Sequence, residues 1–473
     1  MFGSIKELLD YCRNEEVRIV NFKVADLEGR WHQLSIPVSR LKEGLWERGI
    51  GFDGSSYGFA SVEASDMVFI PDISTAFVDP FLEPKTLSMI ADVHTIGSTL
   101  ERFEGDPRFI AQKAERFLAS TGIADTAWMG PEFEFHLFDA MDYGVTPSST
   151  WVQLTMEEAG WVEPEYRGSR YPVRRQRGYH AALPQDSSHN LRSAMTLILE
   201  DLGCPIKYHH HEVGRGQVEV EVEGGPLATM ADRSLLIKYI IKNLAQTHGS
   251  IATFMPKPVL GEAGNGMHVH INLFKDGRPV FSDDKGYAGL SSTALSFIGG
   301  VLRHSPSLLA LTNPSTNSYK RLVPGYEAPV SICFGLANRT SVVRIPGYAR
   351  RPETRRFEYR PSDATANPYL ALAALLMAGI DGVRQGINPS KEGFGPLDVN
   401  VFDLPPSERV KIGSLPTSLE ESLKALEEDH QYLLEGGVFT SELLGTWISQ
   451  RRAEARKVSE TPHPVEFQLY GDL

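Results

Sequence analysis

The chain has 473 residues, 41% hydrophobic and 23% charged, with a formal net charge of −13. That acidic balance argues against nucleic acid or an anionic membrane surface as the main partner, and the length predicts two or more domains, or one small domain beside a large catalytic one. Cys12, Cys204 and Cys333 are odd in number and far apart, which excludes a CxxC zinc or redox motif and fits a reducing compartment.

In chain order, "MFGSIKELLDYCRNEEV" lacks a basic segment followed by an apolar run. It is expected to be an amphipathic helix with Ser4 and Glu7 spaced as a capping box, not a signal peptide. Residues 17–36 predict two strands around an acidic-Gly turn, and "GFDGSSYGF" (51–59) a Gly/Ser loop with Asp53 in its middle. Short strands broken by Pro71, Pro80 and Pro84 fill 62–92. A helix, "FIAQKAERFLASTG", and a strand, "WMGPEFEFHLF", follow, which puts the domain boundary near 105, giving domains of 1–105 and 106–473. Residues 139–190, polar and rich in Tyr, Arg and Pro, predict surface or site loops. Helical patterns occur at 190–202, 228–248 and 288–311, and "SDATANPY" announces an apolar helix over 364–386. A Pro/Gly-rich loop covers 388–409, then two helices, 417–435 and 440–457, precede the tail "TPHPVEFQLYGDL". The longest apolar run, "YLALAALLMAGI" (369–380), is too short to span a bilayer, so a soluble cytoplasmic protein is expected.

The chemistry sits in one repeated pattern. In "PEFEFHLF" (131–138), side chains two apart share a strand face, so Glu132 and Glu134 point one way and Phe133 and Phe135 the other. A single such strand fits a solvated sheet edge. The pattern recurs in "HHHEVGRGQVEVEVE" (209–223), "GMHVHINLF" (266–274) and "RRFEYR" (355–360). Four segments with carboxylates or imidazoles on one face predict strands lining one polar cavity. Such a cavity needs cations, and oxygen donors with one imidazole suit Mg²⁺ or Mn²⁺ better than Zn²⁺. His209, His210 and His211 alternate faces and are not expected to bind one metal together. Residues 320–360 carry Lys320, Arg321, Arg339, Arg344, Arg350, Arg351, Arg355, Arg356 and Arg360. Arginines facing carboxylates and metals are what phosphoryl transfer requires. No GxxxxGK[ST] and no strand-linked GxGxxG is present.

"FDGSS", "PEFEF", "HHHEVGRGQVE", "FMPKP", "GNGMHVH", "NSYKRLVPGYEAPV", "RIP", "RRFEYRPSDATANPYLALAALLMAG" and "TPHPVEF" occur in the order seen in bacterial and archaeal class I glutamine synthetase. The sequence resembles that family over essentially its whole length. The resemblance implies an α+β fold, with a small N-terminal β-grasp domain beside a larger catalytic domain. In the latter a curved antiparallel sheet is surrounded by helices, in the glutamine synthetase/guanido kinase-like manner. It further implies a dodecamer of two hexameric rings, in which one subunit's N-terminal domain completes its neighbour's site and the C-terminal tail inserts across the ring interface. Substrates would be ATP, glutamate and ammonium, with two or three Mg²⁺ or Mn²⁺ per site.

Carried over by position, Glu134, Glu212 and Glu219 would hold a first metal, and Glu132, His268 and Glu358 a second. Arg321, Arg339 and Arg360 match the arginines for the substrate carboxylate and transferring phosphate, and Gly264 the glycine beside glutamate. Arg344 and His270 match the nucleotide-phosphate contacts, with Lys207 also near the nucleotide. Asp53 matches the aspartate that deprotonates ammonium, and Glu327 belongs to the flap that closes over the intermediate. ATP would phosphorylate the γ-carboxylate of glutamate, and ammonia would then displace phosphate. Four departures stand out. Ala263-Gly264-Asn265-Gly266 replaces Asn-Gly-Ser-Gly, and Lys207 stands where Glu is common. Phe402 replaces the tyrosine that some members adenylylate, and Ser61 the arginine of the feedback-inhibited subtype. The rivals are a ligase for amines (γ-glutamylpolyamine or γ-glutamylmethylamide synthetase), a catalytically silent relative and a metallohydrolase. Control by a metabolite, a small regulatory protein or filament formation stays open.

Overall fold

The computed structural model describes residues 2–156, 158, 171–324 and 328–470. It is an α+β protein, as expected, organised around two main sheets. The first comprises β1 (Ile19–Ala25), β2 (Trp31–Pro37), β3 (Ile50–Asp53), β4 (Asp66–Pro71), β5 (Phe77–Val78), β6 (Thr86–Ile96) and β7 (Leu100–Arg102). Its path is β2-β1-β6-β4-β3, with β1 parallel to β6. The helix Ile5–Asn14 begins where the sequence places it. The Ser4 hydroxyl accepts the Glu7 N–H, and the Glu7 carboxylate accepts the Gly3 N–H. Its Leu8 and Cys12 pack on Val20, Phe22 and Met89, and full burial of a side chain such as Leu8 contributes roughly 2 kcal/mol. The expected turn between β1 and β2 contains Gly29 at φ +79°, where an added Cβ would lie 2.9 Å from the Asn367 Cα, so only glycine fits that approach.

The rest of the chain contributes β8 (Thr126–Phe138), the hairpin β9 (Ala140–Thr146) and β10 (Ser149–Thr155), β11 (Ile206–His211), β12 (Gln217–Val222), β13 (Gly225–Pro226) and β14 (Ile251–Thr253). After these come β15 (Val269–Lys275), β16 (Arg278–Pro279), β17 (Ser331–Leu336), β18 (Ser341–Ile345) and β19 (Phe357–Tyr359). Apart from the hairpin they form a ten-stranded sheet along the path β11-β12-β8-β15-β19-β18-β17, antiparallel except for β17 against β18. One face lies on helices Pro107–Thr121, Leu227–Thr247, Ser292–Arg303 and Pro368–Arg384. Phe133, Phe135, Val218, Val220, Val269 and Ile271 fill that core and are wholly buried. The period-two alternation read from the sequence thus sends every intervening acidic residue to the opposite face.

Between the first sheet and the helix Leu227–Thr247 sits Arg108. It is bonded to Asp72 (2.8 Å), Asp92 (2.7 Å) and Asp232 (2.9 Å), and the Tyr369 hydroxyl donates to the same Asp232 (2.6 Å).

Several expectations change. Residues 139–190 are not all loop, because they contain the β9–β10 hairpin. Its Tyr143, Val145, Trp151 and Val152 are exposed, so no buried face marked it in the sequence. The helix expected over 288–311 is two, Ser292–Arg303 and Ser305–Thr312, bent by 74°. Pro306 has no N–H for the preceding turn. His304 pins the bend, with Nδ1 2.8 Å from Asp429 and Nε2 2.9 Å from Asp381. The helix expected over 417–435 stops at Glu428, with a separate turn at Gln431–Leu434, and the tail forms a helix, Pro464–Tyr470. Among the described residues no single helix is long and apolar enough to cross a membrane.

Candidate active site

The polar face of the large sheet is assembled by register. On β12, Glu219 lies opposite Glu134 and Glu221 opposite Glu132 of β8. On β11, His210 lies opposite Glu219. His270 of β15 faces Glu358 of β19, which in turn faces Arg344 of β18. Six strands therefore converge on one acidic patch.

The contacts are close. Glu132 spans two imidazoles, Oε1 at 2.7 Å from His270 Nε2 and Oε2 at 3.1 Å from His268 Nδ1. His268 Nδ1 is also 3.5 Å from Glu358, and its Nε2 is 3.8 Å from Glu134. The other Glu134 oxygen accepts the Gly266 N–H at 2.7 Å. Glu358 is clasped by Arg344 (2.5 Å) and Arg360. Arg321 donates to the Pro361 carbonyl (2.7 Å) and reaches His268 Nε2 (3.2 Å).

Charge is unevenly compensated. Burial would raise Glu132, but the His270 and His268 imidazoles hold it well below the usual carboxylate range. Burial is likewise outweighed at Glu358, where Arg360 heads the groups that bring it to about 2. At Glu219 everything acts in one direction: burial, then Glu132, Glu134 and Glu212, push the carboxyl well above its usual range.

Of the expected metal sets, Glu132, His268 and Glu358 come together, with ligand atoms within 4.8 Å of one another. Glu212 and Glu219 also meet, with His210 as third member of their group. Glu134 stands beside them through its pairing with Glu219. His210 is the residue the sequence reading passed over. The alternation that separates three consecutive histidines puts His209 and His211 on the far face, against Arg192 and Glu158. It leaves His210 on the acidic one. A third group is Glu132, Glu221 and His270. Carboxylate-rich sets with an imidazole each, carrying an uncompensated Glu219, fit hard divalent cations.

The other expected residues are placed as follows. Gly264 lies in the loop before β15, where its carbonyl accepts from Gln217 (2.9 Å). The neighbouring Asn265 is buried, anchored on His136 (2.9 Å) and the Met255 carbonyl (2.8 Å). Lys207 is paired with Glu221 at 2.6 Å. Arg339 is exposed in the connection from β17 to β18. Asp53 ends β3 instead of sitting mid-loop, and it belongs to the first sheet. Its carboxylate accepts the Ser55 N–H and the hydroxyls of Ser55 and Ser56. The Ser55 bonds lower it to about 2. Glu327 lies outside the described residues.

Residues 16–96 match the family model described as glutamine synthetase, beta-Grasp domain, and residues 104–470 that described as glutamine synthetase, catalytic domain. The chain is 46% identical over 470 residues to the glutamine synthetase of Aquifex aeolicus (strain VF5), covering 99% of each. It is 46% identical over 476 residues to that of Mycolicibacterium smegmatis (strain ATCC 700084 / mc(2)155), covering 99% of this chain and 98% of the relative. Among solved structures, the cryoEM structure of Plasmodium falciparum glutamine synthetase is similar with a TM-score of 0.87 at 27% identity, covering 99% of each chain.

Proposed function

The chain belongs to the glutamine synthetase family, and from that premise we propose how its own residues carry out the family's reaction. That reaction is ATP-dependent ligation of ammonia to the γ-carboxylate of glutamate, giving glutamine, ADP and phosphate through γ-glutamyl phosphate. The observation that carries the assignment of roles is Glu358. It is held between Arg344 and Arg360 and stands within 3.5 Å of His268, so the acidic and cationic halves of the cavity meet at one carboxylate.

In this reading Glu132, His268 and Glu358 would hold one divalent cation, Mg²⁺ or Mn²⁺, and Glu134, Glu212 and Glu219, with His210 alongside, another. Bound there, such cations neutralise charge on phosphate oxygens. Arg344 and His270 hold the nucleotide phosphates. Arg321, Arg339 and Arg360 bind the glutamate carboxylate and the phosphate in transfer, and Gly264 lets the substrate approach the backbone. Asp53 takes a proton from ammonium, and the ammonia attacks the acyl phosphate and expels phosphate. With its carboxyl near 2 and exposed in the single chain, Asp53 is too acidic to act as a base near neutrality. The role therefore requires burial beside a neighbouring subunit's carboxylates, which raises such a group. The dodecamer of two hexameric rings that the family resemblance implies would provide such a setting, with residues 1–105 of one subunit completing the site on residues 106–473 of the next. Glu327 closes the site, because an acyl phosphate hydrolyses in water. Phe402 has no hydroxyl to adenylylate, and three free, buried cysteines support a cytoplasmic setting.

The test is phosphate release from ATP with glutamate and Mg²⁺, comparing ammonium, methylamine and putrescine, in wild type, Asp53→Ala and Glu134→Ala. Ammonium-dependent release lost in both variants is expected. Preference for an amine, or full activity of either variant, would overturn the assignment.

A further inference from the structure

Lys207 and Glu221 form a charged pair beside the patch, and the roles above leave Glu221 without a task. Between β11 and β12 the register jumps from Ile206 opposite Val222 to Tyr208 opposite Glu221. Lys207 is therefore the extra residue of a bulge, and a bulge re-aims its side chain. Its ammonium lies 2.6 Å from Glu221 Oε1. Glu221 is 2% exposed, and its other oxygen has no hydrogen-bond partner among the described residues. The ligand atoms of Glu221, Glu132 and His270 lie within 4.8 Å of one another. A buried carboxylate with one oxygen on a lysine and the other unmet makes that lysine its main compensation. An ammonium has three donors. Glu221 takes one, and among the described residues no other hydrogen bond claims the remaining two.

We propose that Lys207 is a fixed cation for the nucleotide, with one N–H held by Glu221 and the others engaging oxygens of the ATP phosphate chain next to His270. The proposal rests on the reading that this patch takes ATP. Glu221 is then a positioning residue: it stops the four-carbon stem of Lys207 from swinging into solvent and carries the ammonium along the row that leads through Glu132 to His270. A lysine there supplies a permanent positive charge at the edge of a patch whose other cations are exchangeable ions. It distinguishes nucleotides by the charge of their phosphates, not by their base.

The experiment titrates the full chain calorimetrically with ATP and Mg²⁺, in wild type, Lys207→Met, Lys207→Arg, Glu221→Gln and the double variant Lys207→Met/Glu221→Gln. KM for glutamate is measured on the same samples. Lys207→Met should bind ATP about tenfold more weakly, the loss of one charge-assisted hydrogen bond. Lys207→Arg should keep most of the affinity, and KM for glutamate should not move. The double variant should be no weaker than Lys207→Met alone, because Glu221 acts through Lys207. Undiminished ATP binding by Lys207→Met, or equal damage to ATP and glutamate, would overturn the proposal. So would a wild type that binds one Mn²⁺ more than Glu221→Gln, since that assigns Glu221 to a metal. A wild type that binds no ATP would instead remove the reading on which the proposal rests.

Discussion

Glu219→Gln, in protein stripped of metal, tests the charge arrangement of the site without any turnover. Burial and the neighbouring Glu132, Glu134 and Glu212 hold the Glu219 carboxyl well above its ordinary 4.5. The folded chain thus keeps a proton that the unfolded chain releases. Below about pH 4.5 both states are protonated and nothing is lost. Above it the unfolded state is favoured by ionisation, so metal-free stability falls as pH rises toward the higher folded value. Glutamine keeps the shape and removes this cost. The Glu212 and Glu219 ligand atoms lie within 4.8 Å of each other, and two full charges at that separation repel by about 3 kcal/mol at an effective dielectric of 20. That is the scale of gain expected for the variant in EDTA near pH 8, whereas near pH 4 the two proteins should melt together. Metal narrows that difference. Wild type gains about 3 kcal/mol at a hundredfold excess of cation over Kd, and the variant, short of a charged ligand, gains less. Thermal melts with and without EDTA and Mn²⁺ across that pH range read all three. A variant less stable than wild type in EDTA near pH 8, or one with an undiminished shift on adding Mn²⁺, would refute the reasoning.

Arg108→Ala strands Asp72, Asp92 and Asp232 where the first sheet meets the helix Leu227–Thr247 and should cost about 3–5 kcal/mol in urea unfolding, so an unchanged midpoint would contradict the role given to it. His304 is buried and stacked on Tyr432, but Asp381 and Asp429 on its two nitrogens outweigh burial and raise it above 6.5. Its contribution is complete below that value and fades as pH rises through the folded one, so the stability difference between wild type and His304→Gln should shrink in that window. A difference independent of pH would mean His304 is held neutral. Gly264→Ala would place a Cβ against the Pro256 carbonyl and 2.8 Å from Arg321 Cγ. Displacing Arg321 should lower kcat/KM for glutamate by about tenfold to a hundredfold while ATP binding persists, and wild-type kinetics would remove Arg321 from the substrate site.

The parts of the site legible in the sequence were those that depend on local period. Glu132, Glu134, Glu219, His268, His270 and Glu358 could each be assigned to a polar face because the alternating Phe and Val residues require a core. The capped start of the helix Ile5–Asn14 was legible too, since Ser4 satisfies the Glu7 N–H three residues on, whereas the helix expected over 364–386 begins only at Pro368, capped by Asn367. The β9–β10 hairpin escaped because both its faces meet solvent and no burial pattern was imposed on it. The break at His304 was marked by the polar, proline-containing "RHSPS" (303–307), which the helical pattern on either side overrode, and only the carboxylates of Asp381 and Asp429, from other elements, reveal what the bend is for.

By itself, then, the sequence determined which side chains share a face, where the first helix begins, and that carboxylates, imidazoles and arginines must be reconciled in one place. Tertiary structure alone decided which of them meet. The pairing of Glu221 with Glu132, the placing of His210 with Glu212 and Glu219, and the turn of Lys207 onto Glu221 all follow from strand register and one bulge. Register is fixed by hydrogen bonds between segments far apart along the chain, and a shift of one residue would send every one of these groups to the opposite face.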